Sequence, residues 1–177
     1  MNIDVYTDHG QIDRKIIEDY AESIGYKFPK SYVELLSKHN GLTPQNNYFE
    51  FLDHNNEFTD RDVYFYSYGY EEIEIWDEED RKKYEDSIKK DEAIELNQPD
   101  EYMYEFMDKH IVIFGECAGG DLLAFDYRDD LDTDEPPITL IYHDDLIQIS
   151  PTENKLRTIK LADNFTSFMA LLKEDNF

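Results

Sequence analysis

The sequence predicts an α+β fold with a mainly antiparallel sheet. Three observations lead there. Two segments with helical apolar spacing open the chain. Strand-like runs then follow one another directly, two of them around a tight glycine turn. One more helical stripe closes the chain. Helices segregated from strands in this way fit a layered α+β arrangement.

The first helix is expected over residues 12–24. Ile12, Ile16, Ile17, Tyr20 and Ile24 recur at helical spacing and turn one face inward. Gly25 ends it. Phe28 precedes Pro29, so its backbone is pushed to an extended step. Ser31 is placed to cap a second helix, and Glu34 three residues on completes a capping box. Tyr32, Leu35, Leu36 and His39 share one side of that helix. Asn40-Gly41 stops it, because both residues tolerate a left-handed conformation.

Residues 48–53 and 63–68 are aromatic-rich and alternate, the pattern of strands. Alternation places Tyr64, Tyr66 and Tyr68 on one face, packed within a sheet or presented at a protein interface, where Tyr gives large contact area at low entropy cost. Residues 73–76 read as a strand or the start of a helix. Residues 77–96 are heavily charged, with Tyr84, Ile88 and Leu96 as apolar points. They read as a surface helix interrupted near Lys90-Asp91, and Asn97, Gln98 and Pro99 break it. A short helix over 101–109 leads into an apolar run at 111–114. Gly115, Gly119 and Gly120 then mark a turn that needs positive φ. Strands follow at 122–125, 138–142 and 146–149, with another at 156–161. Asp163 is placed to cap the closing helix, where Phe165, Phe168, Met169 and Leu172 form the apolar stripe. No internal repeat or proline- or glycine-rich linker divides the chain, so residues 1–177 are expected to form one domain.

Composition bounds the function. The chain has 177 residues, 40% hydrophobic and 15% aromatic, enough for a substantial core. It carries 42 acids against 17 bases, a net charge of −25. Such a surface repels nucleic-acid phosphate and anionic lipid and attracts basic proteins. The same charge also keeps a protein soluble. With a single cysteine, Cys117, an internal disulfide or a multi-cysteine zinc site is excluded. The N-terminus lacks a positive region followed by an apolar run, and no stretch is long enough to span a bilayer, so a cytoplasmic protein is expected.

Several patterns resemble chemistry without completing it. Asp130, Asp132 and Asp134 alternate as in a calcium loop. The glycine at position six is Glu135, and the bidentate glutamate at position twelve is Ile141. A solvated acidic loop is the reading. Cys117, His110 and His143 are the residue types of a thiol hydrolase, but their convergence is not written in the sequence, and a lone Cys is commonly a small core residue. The glycines of 115–120 lack the Lys-Ser/Thr of a phosphate-binding loop, and Asp121 would sit beside any phosphate. His143-Asp144-Asp145 follows a strand and reads as a polar turn. No catalytic residue, metal ligand or cofactor is assigned, and the protein is expected not to be an enzyme.

The order of these pieces carries a resemblance. Phe28-Pro29, Tyr32, Leu35-Leu36, Asn40-Gly41, Phe114-Gly115, Gly120-Asp121, Leu123, Phe125-Asp126, Pro137, Tyr142-His143 and the helix at 165–172 together resemble the SUKH superfamily, the Smi/Knr type. It covers the chain from about Ile12 to Leu172. The resemblance implies a twisted antiparallel sheet flanked by helices, and a binding role. Bacterial members are mostly immunity proteins that neutralise a cognate polymorphic toxin, often a nuclease; fungal members are regulatory scaffolds of cell-wall synthesis. A charged elaboration at about 77–108 departs from the pattern. The expectation is therefore an immunity protein that occludes a basic toxin domain; a regulatory or scaffold binding module is the alternative. The partner-binding candidates are Asp129, Asp130, Asp132, Asp134 and Glu135 in one acidic run and Asp77, Glu78, Glu79 and Asp80 in another, each of which also suits a solvated face. Direct nucleic-acid and membrane contact are not expected.

Overall fold

The computed structural model describes residues 3–69, 93–94, 97–99 and 103–174. The expected element at 73–76, most of the expected helix at 77–96, and the candidates Asp77, Glu78, Glu79 and Asp80 lie outside the described residues. Where that helix was to end, Ala93 instead forms a parallel bridge with Ser67, and the Ile94 N–H donates to the Ser67 carbonyl.

The chain begins with β1 (Val5–Thr7), α1 (Arg14–Ser23) and α2 (Lys30–Lys38). Asp13 caps α1 by accepting the Lys15 N–H at 2.9 Å. At its other end Gly25 takes φ +82, and paired bonds from Gly25 N to Glu22 O and from Tyr26 N to Ala21 O satisfy the last carbonyls. Ile17 and Ala21 face the core, whereas Ile16 turns outward. The expected Ser31 cap is not formed. Pro29 occupies the cap position of α2 without a side-chain bond, Ser31 lies inside the first turn, and Glu34 pairs with Lys38. Proline's fixed φ supplies the entry conformation, so the helix starts two residues earlier.

β2 (Thr43–Pro44) pairs with β1, and β3 (Tyr48–Leu52) pairs with β4 (Phe58–Asp62) as a hairpin. The main sheet is antiparallel and five-stranded. Its order is β5 (Tyr64–Phe65), β6 (Ile111–Glu116), β7 (Leu122–Asp126), β8 (Ile138–Ser150) and β9 (Glu153–Ala162). A one-turn helix α3 (Met103–Phe106) precedes β6, and α4 (Phe165–Met169) follows β9. Its cap is Asn164, not the expected Asp163, which pairs with Lys160 at 2.6 Å instead.

Beyond the unexpected β1, β2 and β4, two of the expected strands differ in extent. β5 is only two residues long. Tyr64 and Tyr66 share a face, and both hydroxyls donate to Glu116. Tyr68 instead enters the helix-facing core, where its hydroxyl bonds that of Tyr32 at 2.8 Å. The side chain of Asn40 holds the Tyr68 backbone at both its N–H and its carbonyl, which redirects the chain. The second departure is β8, which runs unbroken through His143, Asp144 and Asp145. A register shift against β9 between Ile141 and Leu146 absorbs the polar stretch.

The core lies between the helices and the sheet. Fully buried Tyr32 on α2 meets the rings of Phe28, Phe114, Phe125 and Phe165 at centroid distances of 5.0–5.7 Å. Each is an edge-to-face contact, the arrangement ring quadrupoles favour. Residues Ile111 to Gly115 of β6 are all buried, so this strand is covered on both faces.

Candidate functional site

The acidic run at 129–135 forms an ordered loop between β7 and β8. Its base is buried and fastened. Tyr127 stacks on Tyr26 at 4.3 Å, and its hydroxyl donates to the Lys27 carbonyl at 2.7 Å. Arg128 donates to Asp126 and Asp108. Burial alone would raise the Asp126 carboxyl; the hydrogen bonds from Arg128 outweigh it and hold that carboxyl below its ordinary value.

Above this base the loop folds on itself. Asp130 accepts the Asp132 N–H at 3.0 Å, and Thr133 accepts the Glu135 N–H at 3.1 Å. Lys27 reaches the Asp132 carbonyl, which ties the loop to the α1–α2 turn. Asp129, Asp130, Asp132, Asp134 and Glu135 are all exposed. Among the described residues no basic side chain forms an ion pair with any of the five. Of the alternating aspartates, Asp130 thus shapes the turn with its carboxylate, and no group of three His, Cys, Asp or Glu among the described residues converges to hold a metal.

Beside the loop runs a groove of about 510 Å³. Ala21, Tyr26, Phe28, Val33 and Leu131 supply its apolar surface, and Glu18, Glu22, Asp132 and Asp134 line it with Arg14, Lys27 and Lys30. Leu131, flanked by the carboxylates, is 49% exposed. This combination of an apolar groove and an exposed acidic loop suits contact with a protein. The sequence indicated the carboxylates; the groove comes from α1 and α2, more than ninety residues earlier in the chain, and had no local signal.

A second polar cluster escaped the sequence. Asp121, only 3% exposed, accepts from Arg61 Nε at 2.8 Å, from His143 Nδ1 at 3.0 Å and from the His143 backbone N–H at 3.1 Å. Burial would raise the Asp121 carboxyl, but these bonds from His143 and Arg61 more than offset it and hold it below the usual range. Arg61 lies over the rings of Phe51 and Tyr142 at 5.9 and 5.8 Å. The cluster joins β4, the β6–β7 turn and β8. In that turn Gly119 and Gly120 both take φ +91, as expected, whereas Gly115 sits within β6 where a Cβ would lie 2.6 Å from the Tyr64 carbonyl oxygen. Gly115 thus serves close strand approach, not positive φ.

The residue types of a thiol hydrolase are not assembled. Cys117 is 1% exposed, and burial pushes its thiol well above the ordinary range, away from thiolate. His110 bonds Tyr26 at the far end of β6, about seven strand residues or roughly 20 Å from Cys117. His143 is engaged by Asp121.

No helix among the described residues is long and apolar enough to cross a membrane. Neither curated proteins nor solved structures provide a match to this chain. The family model described as SMI1 / KNR4 family (SUKH-1) matches residues 11–171, with its helices, antiparallel sheet, Gly120-Asp121 turn and closing α4 inside that span, and the chain therefore belongs to the SUKH superfamily.

Proposed function

We propose that the protein is a cytoplasmic immunity protein that binds a cognate basic toxin domain and neutralises it by occlusion, without chemistry of its own. The observation that carries this reading is the loop at 129–135: five exposed carboxylates, on a loop fastened at its base and unpaired with described bases, beside an apolar groove. Family membership supports a binding role, and a net charge of −25 suits a cationic partner. A toxin cleft built to hold nucleic acid is cationic, and an acidic face directed at it blocks substrate entry. Electrostatic steering of this kind raises association rates by about ten- to a thousand-fold and weakens with salt. Fast capture matters because free toxin harms the cell that makes it. Packing supports a passive role for Cys117, whose buried thiol is far from a nucleophile's state.

The test is co-expression. The basic toxin domain encoded beside this chain is induced in a host with and without it. Growth restored by the chain, together with a complex that co-purifies, is the expected result. Equal killing in both hosts would sink the reading.

A further inference from the structure

The β3–β4 hairpin has two unlike faces. Phe49, Phe51 and Arg61 point inward, onto Phe168 of α4, Tyr142 and Asp121. The outer face carries the cross-strand pairs Leu52 with Phe58 and Glu50 with Asp60. Phe58 is 81% exposed and Leu52 48% exposed, and the two sit opposite each other at the hairpin tip.

A single exposed apolar side chain is ordinary. An apolar pair at a stiffened hairpin tip is less so. Asp53 accepts the N–H groups of Asn55 and Glu57 at 2.8 and 2.9 Å, and Asn56 takes φ +62, so the turn is held in one shape. A contact pair presented on a rigid turn loses little freedom on binding. Carboxylates border the pair: Asp53 and Glu57 in the turn and Asp60 on β4, with Glu50 on β3 paired to Lys173.

We propose that the hairpin tip, Leu52 and Phe58 bordered by carboxylates, is an anchor that seats in an apolar pocket on the surface of a basic protein. The proposal rests on the functional reading above and names a surface for it. Charge selects the occupant. A second copy would bring two acidic tips together, on chains that each carry −25. Nucleic acid and anionic membranes share the tip's sign of charge. A cationic protein surface complements it, and an aromatic side chain centred in a pocket is the usual site of concentrated binding energy. The hairpin docks beside the β6–β7 turn, at the opposite end of β7 from the acidic loop, so the two surfaces can be altered independently.

The experiment measures binding of the purified, catalytically inactivated toxin domain encoded beside this chain to the full-length wild type and to Phe58→Ala, Leu52→Ala and Phe58→Leu. Phe58→Ala is expected to weaken binding by about 30-fold, mainly through faster dissociation, with Leu52→Ala and Phe58→Leu in between. The circular dichroism and melting temperature of Phe58→Ala should match wild type, because the side chain is exposed. Wild-type binding with Phe58→Ala within about twofold of it overturns the anchor and leaves the immunity reading standing. Absence of binding by wild type overturns both. Sedimentation supplies a further outcome: a wild-type dimer that Phe58→Ala dissociates would make the tip a self-interface and overturn the proposal.

Discussion

Replacing Asp121 by Asn tests how the hairpin is held to the sheet. The buried carboxylate accepts from Arg61 and from both the ring and the backbone of His143. The Asn oxygen can keep the acceptances from His143, but the charge facing the guanidinium is gone. Hydrogen bonds to charged groups contribute about 1.5–3 kcal/mol each, and removing one partner of a buried ion pair costs about 3–5 kcal/mol. Arg61 keeps a 24% exposed side chain and can turn toward water, which favours the low end, about 3 kcal/mol. In a chain of this size each kcal/mol moves the melting temperature by about 2–4 °C, so Asp121→Asn should melt about 6–12 °C below wild type. Urea unfolding followed by circular dichroism measures the free energy directly. The pH dependence has a definite sign. The folded Asp121 carboxyl lies below its ordinary value of 3.8, so its contribution to stability is complete above that pH and disappears as pH falls through the folded value. The deficit of Asp121→Asn should therefore be full at neutral pH and shrink below pH 3.8. A deficit under about 1 kcal/mol at neutral pH, or one that is the same at pH 3, would refute the reasoning.

Other outcomes follow from the same geometry. Gly115→Ala puts a Cβ 2.6 Å from the Tyr64 carbonyl oxygen, so β5 must shift; a loss of about 2–3 kcal/mol in urea unfolding is expected, and unchanged stability would contradict the close approach. Cys117 should resist iodoacetamide in the native protein and react fully in denaturant; rapid native alkylation would contradict its burial. Substituting Asp130, Asp132 and Asp134 together by Lys should slow association with the toxin domain by about tenfold or more at low salt, a gap that narrows near 0.5 M salt in stopped-flow traces; equal rates would remove the loop from the encounter.

Local chemistry made much of the fold legible. Gly25, Asn40-Gly41 and the Gly119-Gly120 turn announce stops and reversals because few other residues suit their backbone angles or contacts. The apolar runs of β6 and β7 announce buried strands. What escaped depends on tertiary context. β4 is Phe-Thr-Asp-Arg-Asp, too polar to read as a strand, and it exists because it pairs with β3. His143-Asp144-Asp145 resembles a turn but continues β8, since a ribbon exposed to water carries polar residues without breaking. The Ser31 and Asp163 caps were misplaced by one or two positions because Pro29 and Asn164 already satisfy the entry geometry. The acidic loop was visible as charge. Its groove, and the joining of Arg61, Asp121 and His143, come from elements far apart in the chain and have no signature at any one of them.

Titration of the purified chain with the inactivated toxin domain encoded beside it, at low and high salt, with inhibition of the active toxin domain measured in a parallel assay, tests the central claim most directly. Saturable one-to-one binding that weakens as salt rises and abolishes toxin activity on its substrate is the expected result. Binding that fails at micromolar concentrations, or that forms a complex leaving the toxin fully active, would contradict it.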